Sequence, residues 1–293
     1  MYKILNDPKY NYLRLDPIPS IDTVEKYYKE DFYSEKNPAF NDSSLEVQQK
    51  DKIFFNSRWK RVFNVCEQYL GDLKGKRIYD IGFGYAQALL YFKKKGLICS
   101  GIEPSEEGVL YAKEKGIDGK LLGIEDKSSY EVEQKQNIVL LINVLEHLRN
   151  PYETLKNIKE RLIRQDGLLI IDVPNEFNTF QNIANKKFNL NQWWIAPPKH
   201  INYFSPSSLT NLLELTGFEV VKKESSFPME LFLLFGDMYI GNKKLGSQCH
   251  KKRVQFESLM IENGEEKKLY KLYESLAELE LGRQIVIYAK PRN

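Results

Sequence analysis

Residues 76–104, KRIYDIGFGYAQALLYFKKKGLICSGIEP, constrain this chain more than any other stretch, because they read as strand, glycine turn, helix and strand in unbroken succession. Residues 77–81 are a short apolar run, and Gly82 and Gly84 then permit a tight turn with no Cβ in the way. Residues 86–95 continue with helical spacing through Leu89, Leu90 and Phe92 to a capping Gly96. A second strand over 98–102 ends at Glu103. A backbone open to close approach, a helix N-terminus, and a carboxylate about twenty residues on suit a nucleoside, whose ribose offers two hydroxyls to one carboxylate. A dinucleotide fingerprint requires a third glycine at position 87, where this chain has Gln87.

Composition narrows the partners. The net charge of +3 in 293 residues, with Lys and Arg spread throughout, makes no electrostatic case for nucleic acid. No apolar run approaches the roughly 18 residues of a membrane span, and the first residues lack a signal-peptide core, so a cytoplasmic protein is expected. Cys66, Cys99 and Cys249 are far apart and without CxxC or His-ligand spacing, which predicts neither a disulfide framework nor a metal site.

Residues 1–57 read as an N-terminal extension, irregular through Pro19 and helical after it. Tyr27, Tyr28, Phe32 and Tyr33 cluster there, either as glue for that helix or as part of a lid. Residues 45–70 space Phe55, Trp59, Val62, Phe63, Cys66 and Tyr69 as an amphipathic helix, which also carries Arg58. After Pro104 and Ser105 a helix opens with Glu106 and Glu107 in its first turn. A third strand is expected over 120–123, followed by Glu125 and Asp126. NIVLLI, 137–142, has the continuous apolar character of a central parallel strand covered on both faces. Asn143, Glu146 and His147 follow it, and Asn150, Pro151 and Glu153 cap the next helix. LLIIDV ends at Pro174, and residues 176–204 read as a long irregular loop holding Trp193, Trp194 and His200. Ser205 and Pro206 begin another helix, and 218–224 and 284–290 read as the last two strands. Residues 227–281, between them, read as a mostly helical insertion.

Three segments together resemble class I S-adenosylmethionine-dependent methyltransferases. Asp80, Gly82, Gly84 and Ala86 match the acid-x-G-x-G-x-G motif with Ala86 for its third glycine, and GIEPS matches the following acid motif. NVLEHLRNPYETLKNIKERLIRQDGLLIIDVPN is similar to the corresponding run in the broad group that includes ubiquinone-type O-methyltransferases and many glycan and natural-product enzymes. The resemblance spans about residues 58–227 plus the last strand. It implies an α/β fold: a Rossmann-like, doubly wound seven-stranded sheet, mostly parallel with the last strand antiparallel, between an N-terminal helical extension and the insertion. The methyltransferase domain is then 58–226 with 282–293, and 227–281 is an acceptor-facing or homodimer surface. It also implies S-adenosyl-L-methionine as cofactor and S-adenosyl-L-homocysteine as product. Glu103, followed by Pro104, would hold the ribose; Glu125 or Asp126 the adenine amino group; Tyr33 and Arg58 the methionine carboxylate; Asn143 lies at the same edge.

Methyl transfer from a sulfonium is an in-line displacement that mainly needs alignment and exclusion of water. A hydroxyl acceptor adds a base, and imidazole is best poised near neutral pH. His200, in PKHINYFS, and His147, in the NVLEHL segment, are the candidates, with a structural role the competing reading for each; His250 sits in a basic run. The PxHxxYFS form resembles bacterial surface-glycan enzymes, which points to a sugar or other small-molecule hydroxyl. An amine acceptor, a non-catalytic nucleoside-binding protein and a nicotinamide dehydrogenase are the alternatives.

Overall fold

The computed structural model describes residues 2–27 and 52–292. Tyr28, Phe32, Tyr33 and residues 45–51 lie outside the described residues. The chain begins with β1 (Lys3–Asn6), β2 (Leu13–Asp16), α1 (Ile21–Tyr27) and α2 (Lys52–Leu70). Then come β3 (Arg77–Ile81), α3 (Gln87–Lys94), β4 (Ile98–Glu103), α4 (Glu106–Glu114), β5 (Asp118–Leu121) and β6 (Gln136–Ile142). They are followed by α5 (Pro151–Asn157), β7 (Ile163–Pro174), α6 (Thr179–Phe188), β8 (Asn202–Tyr203), α7 (Pro206–Leu215) and β9 (Phe218–Ser225). The chain closes with α8 (Glu230–Leu234), α9 (Lys243–Glu262), α10 (Glu266–Glu278) and β10 (Gln284–Pro291).

Seven strands form the main sheet in the order β5-β4-β3-β6-β7-β10-β9. The β3–β4, β3–β6, β4–β5 and β6–β7 pairs are parallel, and β10 runs antiparallel to both of its neighbours. Sequence order reverses at β3, so the carboxyl ends of β3, β4, β6 and β7 flank one crevice. The alternation of β6 explains its uninterrupted apolar run. Ile138 and Leu140 pack with Trp59, Leu89, Phe92 and Ile170 on one face, while Val139 and Leu141 pack with Leu155, Ile171 and Leu209 on the other. Fully burying each such Leu or Ile contributes roughly 1.5–3 kcal/mol. The expected inner face of α2 is present, with Trp59, Val62 and Cys66 buried and Phe63 and Tyr69 partly covered. Asn150 and Ser205 cap α5 and α7 by accepting from the backbone N–H groups of Glu153 and Ser208.

Three expectations are corrected. The third strand lies at Asp118–Leu121, two residues earlier than its sequence suggests, because pairing with β4 sets its register and Gly119 lies against the Phe83 ring. The N-terminal extension is not simply irregular then helical: β1 and β2 make an antiparallel hairpin, and β8 adds to it as a third strand. Residues 176–204 are not a continuous loop, since they contain α6, capped by the Asn178 side chain at one end and the left-handed Asn189 at the other. That helix presents little apolar surface; Gln181 and Ala184 are its buried positions, against α8 of the insertion. Among the described residues, no helix is long and apolar enough to cross a membrane.

Candidate active site

The glycine turn is built as its sequence requires. Gly82 has φ +75°, and a Cβ there would meet Val144 Cγ2 at 2.8 Å. Gly84 has φ +52°, and a Cβ there would meet nothing within 4 Å. Its N–H donates to Glu103 Oε2 at 2.7 Å, while Ser105 N–H donates to Glu103 Oε1 at 3.0 Å. Ala86, at the third-glycine position, holds φ 53° and is buried, so the glycine-like backbone is kept by a residue small enough to fit. Pro104 is exposed at the rim.

Asp80, one residue before the end of β3, is almost completely buried, and its Oδ1 has no hydrogen-bond partner. Burial, reinforced by Glu103, pushes its pKa well above the usual carboxylate range, against the pull of Arg58. Arg58, on α2, reaches across to Asp172 at the end of β7 (Nη2 to Oδ2, 2.6 Å) and lies over the Trp59 ring. Asn143 follows β6 with φ 54°, donates its N–H to the Asp172 carbonyl at 2.7 Å, and is exposed. Glu125 and Asp126 both have local work. Glu125 accepts from the N–H groups of Arg149 and Asn150, and Asp126 accepts from Gly123 N–H.

His147 and His200 are brought together, with ring centroids 5.1 Å apart and the planes nearly perpendicular at 68°. The backbone arranges this. Ile201 N–H donates to the Glu146 carbonyl at 2.8 Å, and the Asn202 side chain donates to the carbonyls of Leu145 and Leu148. Leu15 N–H, on the hairpin, donates to the Ile201 carbonyl at 2.9 Å, so the N-terminal strands brace the segment that carries His200. His147 Nδ1 faces the Lys199 carbonyl at 2.8 Å; a carbonyl only accepts, so Nδ1 carries the proton. His200 Nδ1 lies 3.2 Å from Glu176 Oε1, which orients the second ring in the same way. Burial, and then the neighbouring His200, hold the pKa of His147 well below that of an ordinary imidazole. Burial, then Glu176 and Asp172, raise the carboxyl of Glu146 well above its usual range, while Lys199 pulls the other way. Burial lowers the Lys199 ammonium, opposed by Glu146 and Glu176.

Three of these groups were not singled out from sequence. Glu146 precedes His147 in an otherwise apolar run, which is a usable local signal for a buried acid. Asp172 has a weaker one, an acid at the end of a core strand. Glu176 has none, because its relation to His200 is purely tertiary.

Sheet order, glycine turn and strand-end acid define a Rossmann-like nucleoside-binding fold of the class I S-adenosylmethionine-dependent methyltransferase type. The chain belongs to the methyltransferase-domain family, whose model matches residues 55–223. It is 29% identical over 133 residues to a tRNA U34 carboxymethyltransferase of Campylobacter lari, covering 42% of this chain and 44% of that protein. It is 22% identical over 165 residues to the C-methyltransferase NovU of Streptomyces niveus, covering 55% and 37% respectively. The chain therefore spans less than half the length of these two relatives. Among solved structures, it superposes on an S-adenosylmethionine-dependent methyltransferase from Archaeoglobus fulgidus with a TM-score of 0.51, 18% identity and coverage of 84% of this chain and 98% of that one. A 1,6-didemethyltoxoflavin-N1-methyltransferase of Burkholderia thailandensis, with S-adenosylhomocysteine bound, gives a TM-score of 0.52 at 13% identity over 99% and 98%.

S-adenosylmethionine is the cofactor of this class, and the residues present fit it. The open side of Gly84 leaves room for the ligand, and the orphaned Oδ1 of Asp80 faces no donor of the protein. Glu103 keeps acceptor capacity for ribose hydroxyls, because each carboxylate oxygen has two lone pairs. Asp80, Glu103 and Asp172 put three acids beside the crevice, Asp172 already paired with Arg58.

Proposed function

We propose that the chain is a cytoplasmic enzyme that transfers the methyl group of S-adenosylmethionine to a hydroxyl of a sugar or another small molecule, in the biosynthesis of a surface glycan. Gly82, Gly84 and Glu103 hold the nucleoside, and Arg58 stands on the methionine side. The acceptor hydroxyl lies against the His147–His200 pair and loses its proton there as oxygen attacks the methyl carbon; in the simplest form of the reading His200 is the base. The observation that carries this reading is the orientation of the two rings, with each Nδ1 engaged by an oxygen acceptor, which assigns the lone pair to Nε2. The extension 1–57 and the insertion 227–281 bound the acceptor side, and the insertion also offers a surface for a homodimer.

The buried acids Glu146 and Glu176 beside the same rings favour a second reading, methylation of an amino sugar or small amine. The test is methyl incorporation from labelled cofactor across nucleotide-sugars, polysaccharide fragments and their amino analogues, with the product position assigned by NMR. An O-methyl product supports the first reading, an N-methyl product replaces it with the second, and transfer to neither class overturns both.

A further inference from the structure

Glu146, His147 and His200 each place one ligand-type atom within 4.8 Å of the others. All three are buried or half-buried. With the proton of His147 on Nδ1, the lone pair is on Nε2, and that nitrogen lies 3.5 Å from Glu146 Oε1. The two atoms meet where the His147 side chain is 10% exposed and that of Glu146 3%. The second carboxylate oxygen, Glu146 Oε2, is buried with no hydrogen-bond partner. Lys199 lies in the field of both Glu146 and Glu176 without donating to Oε2. His200 completes the set, its Nδ1 held by Glu176, an arrangement in which a carboxylate orients an imidazole whose Nε2 is then available to a metal.

We propose that Glu146, His147 and His200 form a binding site for one first-row divalent cation, held by two imidazole Nε2 atoms and a carboxylate oxygen, with open positions toward the acceptor. Two imidazoles and one carboxylate suit Zn²⁺, Mn²⁺, Fe²⁺ or Co²⁺ better than Ca²⁺ or Mg²⁺. Bond lengths of about 2.0–2.2 Å put neighbouring ligand atoms roughly 3–3.5 Å apart. The Glu146–His147 separation of 3.5 Å already meets that spacing, and the three ligand atoms all lie within 4.8 Å of one another. The ligands escaped the sequence reading because they come from two segments 52 residues apart, measured from Lys199 to His147, rather than from a local motif.

The inference deepens the proposed O-methylation and rests on it for its chemical role. A hydroxyl bound to the cation becomes acidic enough to lose its proton to solvent water, so His200 serves as a ligand instead of the base. The O–CH3 bond forms as the S–CH3 bond breaks, giving methyl ether, neutral S-adenosylhomocysteine and one released proton.

The test is calorimetric titration of the chelator-treated full chain with Zn²⁺ and, separately, Mn²⁺, alongside titration with S-adenosylhomocysteine. About one equivalent of cation is expected. Glu146→Gln and His200→Ala should each weaken it at least tenfold while leaving S-adenosylhomocysteine affinity within about twofold, which also shows that the variants fold; His250→Ala should change neither. No uptake of either ion, or uptake unaltered in both variants, overturns the site. Hydroxyl methylation that persists unchanged in excess chelator overturns the cation's role while sparing the O-methyl reading. Cation binding with amine products only would leave the site standing and remove that reading.

Discussion

The N–H of Gly84 donates to Glu103 Oε2 at 2.7 Å across 19 residues of chain, so the glycine turn and the acid expected to hold the ribose are one hydrogen-bonded unit. Removing the carboxylate acts on ligand and scaffold together. Glu103→Ala should lower S-adenosylhomocysteine affinity by at least tenfold in calorimetry. It should also cost about 1.5–3 kcal/mol in urea unfolding, as expected for bonds to a charged acceptor. Unchanged affinity would remove Glu103 from the cofactor site.

Gly108 tests the same unit from the helix side. A Cβ there would lie 2.6 Å from the Gly84 carbonyl oxygen and 3.1 Å from Glu103 Cγ. Gly108→Ala should therefore displace the turn, costing roughly 1–3 kcal/mol and weakening cofactor binding. Gly246→Ala on α9, whose Cβ meets nothing within 4 Å, should gain up to about 1 kcal/mol from helix propensity. Equal responses from the two variants would contradict this account.

Arg58→Ala strands a buried carboxylate. Asp172 is almost fully buried and its Oδ1 is already unpartnered, while Arg58 is 23% exposed. A loss of about 2–3 kcal/mol is expected, below the roughly 3–5 kcal/mol of a fully buried pair because solvent reaches the guanidinium. The double variant Arg58→Ala with Asp172→Asn should recover part of it. No recovery would show that the pair itself is not the origin of the loss.

Asp80 gives the stability of the ligand-free protein a pH dependence. Its folded pKa lies well above the usual 3.8, so its contribution is fully present below that pH and fades as pH rises toward the folded pKa, because the unfolded chain ionises first. The slope is about 1.4 kcal/mol per pH unit across that window. Asp80→Asn lacks this term, so its melting temperature relative to wild type should rise between pH 4 and pH 7. A constant difference would mean that Asp80 ionises normally.

His200→Ala should reduce kcat by roughly 10²–10⁴ with the true acceptor and leave S-adenosylhomocysteine binding intact. Turnover near wild type would assign His200 a purely structural role.

Much of this was readable locally. DIGFGYA, GIEPS and NVLEHL are short, their glycine and acid positions answer to backbone geometry, and the strand and helix periods around them follow from burial on two faces. The hairpin was hidden because KILN and LRLD are only four residues each and half polar, and they become strands through each other and through β8. Helix α6 was hidden because a polar sequence packs only Gln181 and Ala184 inward.

By itself the sequence determined the glycine turn, the strand-end acid and the alternation that makes a nucleoside-binding sheet, since each depends on residues within one turn or strand. Only the tertiary structure decided that His200 meets His147, that Glu176 orients it, and that Arg58 pairs with Asp172. Those contacts join segments from separate strands and loops, and their partners are selected by burial, where an unpaired polar group costs most, and not by any spacing along the chain.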